Sequence, residues 1–127
     1  MRVVVRGLVG AVGVLGLLLA ALFLLRTEPA AAKFGLQALG PLGLASLRAD
    51  MVGLFGAVGI LSLMGAVRDR GDLLLAPLIL LGLALAGRTI SLLMTGLSPD
   101  LIRPMAVEVV LVAILALGHR VLARPQA

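Results

Sequence analysis

The chain has 127 residues, of which 61% are hydrophobic and 13% are charged, and its mean hydropathy is +1.21. Soluble domains are roughly half apolar and roughly a quarter charged, so this composition excludes an ordinary water-soluble fold. The absence of cysteine excludes disulfides and thiolate metal sites, and a net charge of +5 that is scattered singly over segment ends argues against a nucleic-acid partner.

Four apolar runs follow one another along the chain. Each is close to the ~20 residues that a helix needs to cross a hydrocarbon layer about 30 Å thick. Backbone groups in lipid must be hydrogen-bonded within their own segment, so each run is predicted to be a helix. The sequence therefore predicts an all-α polytopic membrane protein, an antiparallel bundle of four transmembrane helices that forms one domain over residues 1–127. The predicted helices span residues 3–25, 44–67, 73–94 and 101–122.

The first run resembles a signal peptide in its basic start and in the three alanines that follow it at 30–32. Its apolar stretch, residues 7–25, is longer than the 7–15 residues typical of a signal core. We therefore predict a first helix that is retained. The connection that follows, residues 26–41, is the longest, and residues 29–39 are predicted to form a short surface helix with Phe34 and Leu36 facing inward.

Glycine and alanine recur in the first and second runs. Small residues let helices approach closely in lipid, and the spacing from Gly16 to Ala20 and from Gly53 to Ala57 suits such contact. We interpret these faces as internal packing surfaces, with a homodimer contact as the alternative. The residues are Gly7, Gly10, Gly13 and Gly16 in the first run, and Gly53, Gly56, Ala57 and Gly59 in the second.

Ionisable side chains inside the last three runs are the most informative feature of the sequence. A charge in hydrocarbon costs roughly 2.5–3.5 kcal/mol on insertion scales, so such residues usually have a role. Arg48 and Asp50 lie near the start of the second run, Arg88 near the end of the third, and Glu108 near the start of the fourth. In an antiparallel bundle these positions fall in one layer, in the outer third of the membrane.

These charges predict a polar centre. We expect Arg88 to pair with Glu108 and to use Asp50 as a second acceptor, because a guanidinium has five N–H donors. Ser91 shares a helix face with Arg88. Arg48 points to nearly the opposite face from Asp50. The candidate binding residues are Arg48, Asp50, Arg88, Ser91 and Glu108.

Ser98 and Pro99 have the pattern of a helix cap followed by a first-turn proline, which predicts the start of the fourth helix.

The charges at the ends of the runs predict the orientation of the chain. The positive-inside rule favours cytoplasmic termini in the cell inner (plasma) membrane, because six arginines then lie inside and three basic residues lie outside. The inner set is Arg2, Arg6, Arg68, Arg70, Arg120 and Arg124, and the outer set is Arg26, Lys33 and Arg103.

Three motifs carry a resemblance to a known family. They are Leu-Arg-Ala-Asp-Met-Val-Gly-Leu-Phe at 47–55, Gly-Arg-Thr-Ile-Ser at 87–91 with Gly96, and Glu108 on the last helix. In these the chain resembles the domain of unknown function 4345 family, small bacterial four-helix membrane proteins, over nearly its whole length. The resemblance implies the same topology and a shared polar centre, and it brings no established activity.

Three functions compete for the polar centre. The first is a structural clamp between helices, and the second is a pocket for an anionic lipid or amphiphilic small molecule at Arg48 or Arg88. The third is proton-coupled transport through Glu108, which is disfavoured because proton relays need several titratable groups across the membrane. Catalysis is not expected, since the sequence has no Ser-His-Asp set or phosphate-binding loop. With His119 as the single histidine, no metal or other cofactor is predicted.

Overall fold

The computed structural model describes residues 1–96 and 99–123, and within that part of the chain the regular structure is helical. Four helical segments are long and apolar enough to cross a membrane, so the predicted all-α polytopic bundle is confirmed. Ser98, the predicted cap, and Arg124 lie outside the described residues. The helices are α1 Arg2–Leu25, α2 Thr27–Lys33, α3 Gly40–Val67, α4 Leu75–Thr95 and α5 Pro99–Ala123, with a 3₁₀ turn at Gly71–Leu74 before α4.

The connection between α1 and α3 differs from its prediction. The short helix α2 begins directly after α1, and Gly35, with φ 73°, follows it. Phe34 is half-buried as expected, whereas Leu36 is exposed because it follows the end of α2. At 28 residues α3 is longer than predicted, and about 42 Å at 1.5 Å per residue exceeds a hydrocarbon core of about 30 Å. The length of α3 therefore exceeds what a perpendicular crossing of the hydrocarbon requires.

The glycines of α1 and α3 bring these two antiparallel helices into backbone contact. A Cβ built on Gly59 would lie 2.6 Å from the Leu17 nitrogen, and one built on Gly16 would lie 2.8 Å from the Gly59 Cα. Neither distance leaves room for a methyl group. Gly53, in contrast, has open space around it, so only part of the predicted glycine face packs against another helix.

The apolar core fills one half of the bundle. We call the end where α1 begins the N-terminal end and the opposite end, which carries α2, the distal end. Leu74 is fully buried against Gly65 of α3 and Gly118 of α5, and Val9 of α1 also contacts Gly118. The core around them consists of Val5, Val9, Val12, Val58, Ala66, Leu74, Leu81, Leu115 and Leu122.

A smaller aromatic cluster lies at the distal end. The rings of Phe23, Phe34 and Phe55 are separated by 5.6–6.0 Å between centroids, and Phe23 is fully buried. These three are the only phenylalanines in the sequence. They hold α2 against α1 and α3, which fixes the position of α2 at this end.

Arginines bond to helix ends at the N-terminal end of the bundle. Arg6 donates hydrogen bonds to the carbonyl oxygens of Ala66 and Val67 at 2.8 and 3.1 Å. Arg2 donates to the carbonyl of Val121 at 2.9 Å and forms an ion pair with Asp69 at 3.1 Å. The last carbonyls of a helix lack intrahelical partners, so these arginines complete the ends of α3 and α5. The beginning of α1 and the end of α5 therefore lie at the same end of the bundle.

Candidate functional site

Arg88 of α4 and Glu108 of α5 form an ion pair in the distal half of the bundle, through Nε of Arg88 and Oε1 of Glu108. The side chain of Glu108 is 11% exposed and that of Arg88 is 29% exposed. Leu74 and Gly118, which are in contact, give a common level for measuring height in the two helices. Counted from that level at 1.5 Å per residue, Arg88 lies about 21 Å and Glu108 about 15 Å toward the distal end. The long arginine side chain spans the difference.

Apolar packing is sparse where the ion pair lies. Leu81 is the last buried residue of α4, and every later residue of this helix is half-buried or exposed. In α5, Glu108 is the only buried residue between Pro99 and Ile114. The ion pair therefore joins α4 and α5 in a region where the apolar core does not reach.

The pair leaves hydrogen-bonding capacity unused. Oε2 of Glu108 is buried and has no hydrogen-bond partner in the described part of the chain. Arg88 bonds through Nε, while its two Nη groups make no hydrogen bond with any described residue. Buried polar atoms are nearly always bonded in native proteins, so this carboxylate oxygen and these donors form the chemically open part of the site.

Asp50 does not join the pair, contrary to its predicted role as a second acceptor. Its side chain is exposed, and neither a hydrogen bond nor an ion pair connects it to Arg88. Asp50 lies fifteen residues before Gly65, about 22 Å toward the distal end, which is about 7 Å beyond Glu108. In addition, α3 has no buried residue before Val58, so its distal half is not enclosed by α4 and α5. The charges share the distal half of the bundle without converging on one point.

The two remaining predicted site residues also lie outside the pair. Arg48 donates from Nε to Oγ1 of Thr27 at 3.2 Å, and the Thr27 hydroxyl donates to the carbonyl oxygen of Phe23. Ser91 is exposed, and its backbone carbonyl accepts a hydrogen bond from Thr95 at 2.7 Å. Thr27 was not among the predicted site residues. Its position directly after an apolar run, where a hydroxyl can bond to the preceding helical turn, is the signal that identifies it.

Fold and site together define a small polytopic membrane protein with one buried ion pair between neighbouring spans, as far as the described residues extend. Comparisons with protein-family models, with characterised proteins and with solved structures found no match. A function for this chain therefore has to be inferred from the chemistry of its own residues.

Proposed function

We propose that this chain is a four-span membrane protein in which the Arg88–Glu108 pair clamps the distal halves of α4 and α5 together. The observation that carries this proposal is the position of the pair beyond the end of the apolar core. No residue of α4 beyond Leu81 is fully buried, so apolar packing holds this part of the helix only weakly. The ion pair supplies the connection that packing does not.

Electrostatics favour the pair as a unit over either charge alone. A single charge at the centre of a transmembrane helix costs roughly 2.5–3.5 kcal/mol on insertion scales. Two opposite charges in contact neutralise each other, although polar contacts between transmembrane helices contribute only about 0.6 kcal/mol on average. Each of the two residues, Arg88 and Glu108, therefore lowers the free-energy cost of placing the other in the membrane. Their contact also determines which faces of α4 and α5 meet.

Spin-label distances test the clamp, and the absence of cysteine allows labels at chosen positions only. Cysteines introduced at Leu93 and Val107, both more than half exposed, report the distal separation of α4 and α5. We expect a narrow distance distribution in the otherwise unchanged protein and a broader, longer one in Arg88→Gln.

A second label pair at Ile79 and Leu117 is the matched control, because it lies on the same two helices beside the apolar core. Its distances should be the same with and without Arg88→Gln. Distal distances that do not respond to Arg88→Gln would contradict the clamp.

Binding of an anionic lipid or amphiphile at Arg88 is a second candidate function. The unused Nη donors and the 29% exposure of the arginine side chain favour it. Basic pockets between transmembrane helices are known to bind anionic head groups. If Arg88 binds such a molecule, a lipid that copurifies with the protein and is identified by mass spectrometry will be lost in Arg88→Gln and retained in Glu108→Gln.

We further propose the bacterial inner membrane as the location, with both termini in the cytoplasm, and membership of the domain of unknown function 4345 family. The charge of the two ends supports this orientation. Among the described residues, the N-terminal end carries five arginines and two aspartates, whereas the distal end carries five basic and four acidic residues. The motifs around Arg48, Arg88 and Glu108 support the family assignment. A homodimer through small residues that have open space around them, such as Gly53, stays a prediction.

A further inference from the structure

A groove of about 530 Å³ lies at the distal end, where α1 passes into α2 beside the first half of α3. Its polar lining comes from Arg26, Thr27, Glu28 and Arg48, and Leu25 and Leu44 are among its apolar lining residues. This volume falls in the range of about 300–1,000 Å³ that is typical of small-molecule sites. The groove is separate from the Arg88–Glu108 pair, because none of its lining residues belongs to α4 or α5.

A buried hydroxyl holds Arg48 in this groove. Thr27 is only 4% exposed, and its hydroxyl both donates to the Phe23 carbonyl and accepts from Nε of Arg48. The two Nη groups of Arg48 make no hydrogen bond with any described residue, and the side chain of Arg26 makes none either. The groove therefore presents two guanidinium groups with free donors, and one of the two is oriented before any ligand arrives.

The length of α1 predicts that both arginines lie at the level of the lipid head groups. Arg6, which bonds to the end of α3, and Arg26 are twenty residues apart along α1, or about 30 Å. That distance equals the thickness of a hydrocarbon core. Val9 of α1 and Gly65 of α3 lie at one level in the core, because Val9 contacts Gly118 and Leu74 contacts both Gly65 and Gly118. Arg26 lies seventeen residues after Val9, and Arg48 lies seventeen residues before Gly65. Each arginine is therefore about 25 Å from that level.

We propose that this groove binds the phosphodiester group of an anionic phospholipid. Arg26 and Arg48 donate hydrogen bonds to the phosphate oxygens, and Leu25, which is 79% exposed, contacts the first carbons of an acyl chain. Glu28 sets the selectivity, because two arginines and one glutamate leave a net side-chain charge of +1 in the groove. That charge matches a phosphodiester, which carries one negative charge, better than free inorganic phosphate, which carries more negative charge at neutral pH.

Native mass spectrometry of the full chain in dodecyl maltoside, titrated with phosphatidylglycerol, tests the proposal. A basic residue near an anionic surface contributes about a fivefold change in affinity. We therefore expect Kd to rise about fivefold in Arg26→Gln or Arg48→Gln and about 25-fold in the double variant. The matched control is Arg103→Gln, since Arg103 is an exposed arginine at the same end that does not line the groove.

Two further arms separate this site from other sources of binding. Arg120→Gln, which changes an exposed arginine outside the groove at the N-terminal end of the bundle, should leave the affinity for phosphatidylglycerol unchanged, which separates the groove from general attraction between the lipid and positive charge. Sodium phosphate at millimolar concentration should not displace the lipid, and displacement would overturn the lipid assignment. An unchanged Kd in the double variant, or an equal loss in Arg103→Gln, would overturn the proposal as a whole.

Discussion

Alanine in place of Gly59 is expected to separate α1 from α3 and to destabilise the bundle. The new Cβ would lie 2.6 Å from the backbone nitrogen of Leu17 and 2.9 Å from the carbonyl oxygen of Gly13. Backbone atoms cannot rotate away as side chains can, so the helices themselves must move. Inserting a methyl group into a well-packed interface typically costs about 1–3 kcal/mol, and occasionally more. Thermal unfolding in detergent and the amount of protein in the membrane fraction measure the loss.

Gly53→Ala is the matched control for Gly59→Ala. Gly53 lies on the same helix, but a Cβ built there meets no atom within 4 Å. Alanine also favours helix by up to about 1 kcal/mol over glycine, so this variant should be as stable as the parent or slightly more stable. If the two variants unfolded at the same temperature, α1 and α3 would not be in the close backbone contact described above.

Arg88→Gln is expected to be the most damaging single change at the ion pair. It leaves the carboxylate of Glu108, nine-tenths buried, without a cation, and removing one partner of a buried pair costs about 3–5 kcal/mol. Glu108→Gln should cost less, because the arginine side chain is 29% exposed and can extend its charge toward the membrane surface. The free energy of unfolding of each variant in detergent measures this asymmetry.

Exchanging the two residues restores part of the stability that the single changes remove. In Arg88→Glu with Glu108→Arg the charges still neutralise each other, although the longer side chain now starts from α5. Asp50→Asn is the control for removing a charge that has no ion-pair partner among the described residues, and as an exposed site it should change stability by less than about 0.5 kcal/mol. An exchange variant no more stable than Arg88→Gln would contradict charge pairing as the source of the effect.

Sequence patterns predicted the spans well, because the hydrocarbon core requires a minimum length of apolar helix whatever the neighbouring helices do. The contact between Arg88 and Glu108 followed from the same physics, since isolated charges in lipid are costly and these two were the most deeply placed. The separation of Asp50 from them could not be predicted. It depends on the tertiary structure, in which α3 has no buried residue before Val58 and α4 has none after Leu81, and helix periodicity does not contain this information.

The arginines at the N-terminal end show a second limit of the sequence patterns. Arg2 and Arg6 were interpreted as charges that set orientation, yet they donate hydrogen bonds to the last carbonyls of α5 and α3. Which carbonyl an arginine reaches depends on how the helix ends are placed around it, and composition gives only the side of the membrane. The role of Thr27 in orienting Arg48 likewise depends on the packing of α2 against α3, which the sequence patterns do not contain.

A double-mutant cycle at positions 88 and 108 tests the clamp most directly. The free energy of unfolding is measured for the parent chain, Arg88→Gln, Glu108→Gln and the variant with both changes. Because the double variant leaves no unpaired charge, we predict that it is more stable than Arg88→Gln alone, with a coupling energy of about 0.5–3 kcal/mol. Single costs that simply add in the double variant would show that the two residues act independently and would contradict the account.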